Sequence, residues 1–312
     1  MQDFRSSGYR GGVRLISLAV LVLLIWWALP PPLSLAGEET LHLPYALADG
    51  TFLIGHLTLP PGATPDKKVP VVVLIPGGKG KKGGYFWRRA QNYLEYKQIR
   101  DNLRDRYAVL AVEYVSGYFG DPREMESVLA AFQALKHVPQ VDLERLAVIG
   151  QSHGGYLALM SVMQPGVEPR PKAAVSVSGV VDLASYVLYM REEELTRGGF
   201  MPQEAYHYIT RKVPQALGWP PDRDEATRER YARRSLLTYV HLLQVPVLII
   251  HGRGDQVVPV SQARMLLDAL HNYGKTYESL EIPSGKLMGH FLFQRSEPAW
   301  EKITAFLAKY LK

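Results

Sequence analysis

The 312-residue chain contains no cysteine. Disulfides and lipoprotein modification are therefore excluded, although a cysteine-free chain is compatible with an oxidising compartment. Internal repeats, low-complexity tracts and histidine clusters with metal-ligand spacing are also missing, so no metal or other cofactor is expected. A strong excess of either charge is missing: 36 Lys and Arg against 30 Asp and Glu leave a net value of +6. Three arginines against Asp3 account for +2 within the first 36 residues and leave about +4 for the rest. No basic helix or binding-domain motif accompanies that mild surplus, which argues against a nucleic-acid partner. Long apolar runs are lacking too. The longest near the N-terminus, Leu15 to Leu29, falls short of the roughly 20 residues that a membrane-spanning helix needs.

That run follows Arg5, Arg10 and Arg14, and Pro30-Pro31-Pro32 ends it. Ser34-Leu35-Ala36 then offers a small-x-small cleavage site. The pattern is that of a signal peptide over residues 1–36, cut near Ala36, and implies a secreted or periplasmic protein. An uncleaved membrane anchor over residues 15–29 is the alternative. Residues 37–312 suit one large α/β domain carrying an insertion.

The most specific motif is Gly150-Gln151-Ser152-His153-Gly154. It follows the apolar run Leu146-Ala147-Val148-Ile149 and precedes the helix-forming Tyr156-Leu157-Ala158-Leu159-Met160. Strand, sharp turn and helix around G-x-S-x-G describe a nucleophile elbow with Ser152 at its tip. A serine hydroxyl needs a base, and the base needs an orienting acid. Val245-Pro246-Val247-Leu248-Ile249-Ile250 has the composition of a buried parallel strand and exits into His251-Gly252-Arg253-Gly254-Asp255-Gln256. Catalytic groups collect at that end of open α/β sheets, which makes Asp255 the candidate acid. Asp182, after the run Ala173 to Val181, is the runner-up. The candidate base is His290, closing the loop that follows Tyr277–Ile282. His271 reads instead as an ordinary helix end.

A tetrahedral oxyanion requires preorganised N–H donors. One is the main-chain N–H of His153, next to the nucleophile. The other belongs to the loop after Val69–Ile75, Pro76-Gly77-Gly78-Lys79-Gly80, where Gly78 is the leading candidate and Gly77 or Lys79 the neighbours in register. Strand-like segments at 107–114 and 145–149 alternate with helical ones at 88–104 and 125–138, which argues a parallel sheet with helices on both faces. Residues 184–239 interrupt that rhythm and read as a mostly helical cap. Within it, Arg191-Glu192-Glu193-Glu194 reads chiefly as a solvated face; carboxylates gripping a substrate amine would be the functional meaning. Lys79, Lys81, Lys82, Arg88 and Arg89, interleaved with Tyr85, Phe86 and Trp87, read as a solvated basic loop, with steering of an anionic substrate as the alternative.

Four stretches carry a family resemblance: Asp49 to Gly55, Pro76-Gly77-Gly78, Gly150 to Gly155, and His251 to Pro259. A fifth, Tyr231 to Leu237, resembles an arginine–serine–proline segment without its proline. From about Leu41 onward the chain resembles the catalytic domain of the prolyl-oligopeptidase-like serine hydrolases in the α/β-hydrolase superfamily. The resemblance implies an α/β-hydrolase fold with a triad of Ser152, Asp255 and His290. It also implies an ester or short-peptide substrate cleaved by way of an acyl-enzyme. Family peptidases usually carry a β-propeller ahead of this domain; only a few residues precede Asp49 here, so the domain is expected without one. Pro76 stands where many relatives have a histidine, which leaves main-chain donors for the oxyanion. An acyltransferase and a non-catalytic binding protein of the same fold are the alternatives.

Overall fold

The computed structural model describes residues 39–78, 94–196, 206–284 and 289–312. The expected leader, the basic–aromatic loop from Lys79 to Arg89 and residues 285–288 ahead of the candidate base lie outside them. Eight strands form one sheet: β1 Glu39–Ala46, β2 Phe52–Leu59, β3 Val69–Ile75, β4 Ala108–Ala111, β5 Val141–Gln151, β6 Ala173–Val177, β7 Val247–Gly252 and β8 Tyr277–Ile282. Their spatial order is β1-β2-β4-β3-β5-β6-β7-β8. The β1–β2 and β2–β4 pairs are antiparallel, and all others are parallel.

The central strands read as unbroken apolar runs because both of their faces are covered. Val71, Val73 and Ile75 enter one core, Val72 and Leu74 the other, as the two-residue period requires. The first core takes residues from α2 Pro122–Ala134, α3 His153–Met163, α4 Leu183–Thr196 and α7 Ser261–Asn272. The second takes Ile99 and Leu103 of α1 Leu94–Leu103, and Ile303, Phe306 and Leu307 of α9 Glu297–Tyr310. A short α8, Leu292–Arg295, precedes α9. Between β6 and β7 the chain is helical in pieces: α4, a π-turn at Tyr208–Lys212, α5 Val213–Leu217, α6 Glu225–Ala232 and two 3₁₀ turns. Among the described residues no helix is long and apolar enough to cross a membrane.

Among the boundaries that depart from the sequence reading, three have a clear local reason. Helix α2 begins at Pro122 rather than Met125, because Asp121 caps it by accepting from the Arg123 N–H at 3.0 Å and proline suits the first helical position. Strand β4 ends at Ala111 rather than Tyr114, and the Glu113 N–H donates instead to the Tyr45 hydroxyl at 2.9 Å. Strand β6 stops at Val177 because Ser178 takes a positive φ of 50°, incompatible with a continuing ladder.

Candidate active site

The order of strands around β3 creates a crevice. From β3 the chain moves to β4 on one side and returns to β5 on the other, so the loops at the carboxyl ends of β3 and β5 face each other. Gly77-Gly78 leaves β3 and Ser152 leaves β5.

Ser152 sits at φ 56° and ψ −124°, a conformation that a non-glycine residue adopts only when its surroundings force it. Two glycine contacts provide that force. A Cβ on Gly150 would come within 2.1 Å of the Gly154 carbonyl oxygen, and one on Gly154 within 2.0 Å of the Ile75 oxygen. Strand, elbow and helix therefore touch main chain to main chain. The Ser152 N–H is tied to the Val177 carbonyl at 2.9 Å, anchoring the turn to β6. A Cβ on Gly77 would lie 3.3 Å from the Ser152 Cβ, so the β3 loop closes against the elbow.

Asp255 follows β7 and is buried. Its Oδ1 accepts from the Val257 and Val258 N–H groups at 2.9 and 3.0 Å, leaving Oδ2 to His290 Nδ1 at 2.9 Å. That bond leaves His290 Nε2 as the nitrogen able to take a proton from elsewhere. The Gln151 side chain donates to the His290 carbonyl at 2.5 Å, so the residue beside Ser152 holds the main chain of His290. The edge of Phe291 meets the His290 ring, with centroids 5.4 Å apart.

The alternatives weighed from sequence fall elsewhere. Asp182 accepts from the Ser185 N–H at 2.9 Å and caps α4. His271 lies in the last turn of α7. Of the four charged residues in α4, Glu194 pairs with Arg211 at 3.2 Å and with the Thr210 hydroxyl at 2.9 Å. The Arg191 guanidinium lies over the Trp219 ring at 4.5 Å. Glu193 is buried, and Glu192 is exposed. Among the described residues no group of three or more His, Asp or Glu side chains is gathered as a metal site would need.

For the oxyanion, the His153 N–H stands in the first turn of α3, where helical N–H groups lack an intrahelical partner. Gly78 has φ 90° and open space around a would-be Cβ, so conformation rather than crowding calls for glycine there. Several contributors had no separate signal in the sequence. Gln151 is the unspecified position of the motif. Buried His251 stands behind the acid with Nε2 3.5 Å from Asp255 Oδ2, while bonded to the Val258 carbonyl at 2.8 Å. Burial lowers the His251 pKa against the opposing pull of Asp255.

A strained serine between strand and helix, with an acid–imidazole pair delivered by later strands of the same mostly parallel sheet, defines the α/β-hydrolase fold. Comparison with known proteins narrows this. The profile of the prolyl oligopeptidase family matches residues 121–312, and the chain belongs to that family. It is 27% identical over 258 residues to the uncharacterized peptidase YuxL of Bacillus subtilis, covering 79% of this chain and 36% of that protein. It is 28% identical to the esterase LipC of Mycobacterium tuberculosis, covering 78% of this chain and 59% of the esterase. The acylaminoacyl peptidase of Pyrococcus horikoshii superposes with a TM-score of 0.66 over 93% of this chain and 43% of its own, at 21% identity, a likeness of fold. The chain spans from a third to about half the length of several curated relatives that it matches.

Proposed function

We propose that the chain is a serine hydrolase that cleaves an ester or a short peptide through an acyl-enzyme. The observation that carries this reading is the forced φ of Ser152 together with a histidine already oriented by a buried carboxylate and tied through its carbonyl to the neighbouring Gln151. Relatives named as peptidases and as esterases support both substrate classes. In the proposed reaction Ser152 Oγ attacks the carbonyl carbon while His290 Nε2 accepts its proton, and Asp255 stabilises the imidazolium that forms. The N–H groups of His153 and Gly78 receive the oxyanion, each worth about 100- to 1000-fold in rate. The imidazolium then protonates the leaving alcohol or amine. Water, activated by the same nitrogen, releases the acid. The export pattern of residues 1–36 supports a secreted or periplasmic location, with membrane attachment through residues 15–29 if the leader stays uncleaved.

A fluorophosphonate probe tests the nucleophile: labelling is expected on Ser152 and absent in Ser152→Ala. Rates on matched p-nitrophenyl esters and aminoacyl p-nitroanilides then separate the substrate classes. Turnover by folded Ser152→Ala at near wild-type rate overturns the reading.

A further inference from the structure

The main chain of His153 enters the reaction above, but its imidazole does not. That ring is buried, and each of its nitrogens faces an acceptor. Nδ1 lies 2.8 Å from the Gly78 carbonyl oxygen. A carbonyl only accepts, so Nδ1 carries the hydrogen in this bond. Nε2 lies 2.9 Å from Glu124 Oε2. Phe119 stacks on the ring at 4.0 Å and 18°, and Tyr114 meets it edge-on at 5.5 Å. The imidazole is thus fenced in its plane and on one face.

Behind it, Glu124 is fully committed. Its Oε2 also accepts from the Gly120 N–H at 3.0 Å, and its Oε1 takes a short bond from the Ser116 hydroxyl. Tyr208, from the helical segment between β6 and β7, brings its hydroxyl to the same Oε1 at 3.4 Å and into close contact with Ser116 Oγ. Burial, and the Glu124 charge after it, raise the Tyr208 phenol well above its usual pKa, so it remains a donor.

The consequence falls on the β3 loop. The Tyr114 hydroxyl lies 3.2 Å from the Pro76 carbonyl oxygen and 3.1 Å from that of Gly78. The peptide that carries the Gly78 N–H is therefore bracketed by two held carbonyls, one of them gripped by His153 as well. Without the clamp, two successive glycines would leave that N–H free to turn.

We propose that the His153 imidazole, backed by Glu124, is the positioning group of the oxyanion loop, and that Tyr208 couples it to the seating of the 206–217 helical segment. One residue thus supplies one oxyanion donor from its main chain and aims the other with its side chain. This rests on the serine-hydrolase reading, with Gly78 as second donor.

Steady-state kinetics on a p-nitrophenyl ester, with a boronic acid as tetrahedral mimic, test the proposal. His153→Phe is expected to lower kcat by about 100-fold, as loss of a donor would, with KM little changed. Affinity for the boronic acid should fall in proportion, because the lost contact is made to the tetrahedral state. His153→Asn, whose amide nitrogen stands near the Nδ1 position, should recover about tenfold or more of kcat. Tyr208→Phe should lower kcat about fivefold, the worth of one ordinary hydrogen bond. Unchanged kcat in folded His153→Phe, or a loss that tracks thermal stability without recovery in His153→Asn, overturns the proposal; unchanged kcat in Tyr208→Phe overturns the coupling to the helical segment. Imidazole ¹⁵N–¹H spectra of the wild-type protein give a readout independent of turnover. A slowly exchanging Nδ1–H signal, missing in His153→Asn, is expected, and an Nε2–H-only tautomer overturns the clamp. If the wild-type protein neither reacts with fluorophosphonate nor turns over ester, the hydrolase reading has failed, whereas the imidazole spectrum still decides the clamp.

Discussion

Asp255 shows how an acid–imidazole geometry is assembled from main-chain donors. Two N–H groups occupy Oδ1, so the remaining oxygen has one orientation open to it, and His290 is found there at 2.9 Å. Asp255→Asn would offer an amide where an acceptor is needed and favour the wrong imidazole tautomer. A fall in kcat of about 10³- to 10⁴-fold is expected with an unchanged circular dichroism spectrum. A loss below tenfold would remove Asp255 from the orienting role. His251, close behind the same carboxylate, is held by the Val258 carbonyl and kept neutral by burial. It therefore adds bulk rather than charge behind the acid.

At the scale of elements, side chains finish what the ladders begin. The Tyr45 hydroxyl of β1 donates to the Glu113 carbonyl at 2.6 Å and accepts from the Glu113 N–H at 2.9 Å, across the width of β2. Tyr45→Phe would strand two buried main-chain groups and should lower unfolding free energy by about 1–3 kcal/mol in urea titration. A change under about 0.3 kcal/mol would show that water replaces the hydroxyl. The sheet itself was legible, because β3, β5 and β7 are apolar runs rich in β-branched residues with glycine at or just past their carboxyl ends, and β3 and β8 coincide with the residues read as strands. Ser152 and Asp255 could be singled out for the same reason, each lying just after one of those runs, and His290 because it closes the loop after the alternating run Tyr277–Ile282. The His153–Glu124–Tyr208 clamp could not. Its members lie 29 and 84 residues apart in the chain and obey no shared period, so only the packing of three separate elements brings them together. The one faint sign was Asp121-Pro122-Arg123-Glu124, a helix-start pattern whose glutamate reaches back to a main-chain N–H.

For the molecule as a whole, acid is the stress that the buried imidazoles foretell. Burial, with His42 beside it, lowers the His56 pKa from 6.5 to about 4, and burial lowers that of His251 as well. Above pH 6.5 neither histidine favours one state over the other. As pH falls below that value the unfolded chain takes up protons that the folded chain refuses, so stability is lost until the folded His56 titrates near pH 4. The His56 share is at most on the order of 3 kcal/mol. Thermal midpoints should therefore drop between pH 6.5 and 4, and His56→Phe should flatten that slope by about one proton. Parallel slopes in the two proteins would exclude His56 as a contributor.

The glycine contacts around the elbow have one more implication. Because Gly150 and Gly154 lock the turn through main-chain atoms, the seat of the nucleophile is a socket indifferent to what is plugged into it. Ser152→Cys should fold as the parent does and leave the turn unmoved. With sulfur in the socket, an acyl group would be held as a thioester rather than an ester, and wherever acylation outpaces its hydrolysis the intact protein would carry a mass increment that reports the acyl donor.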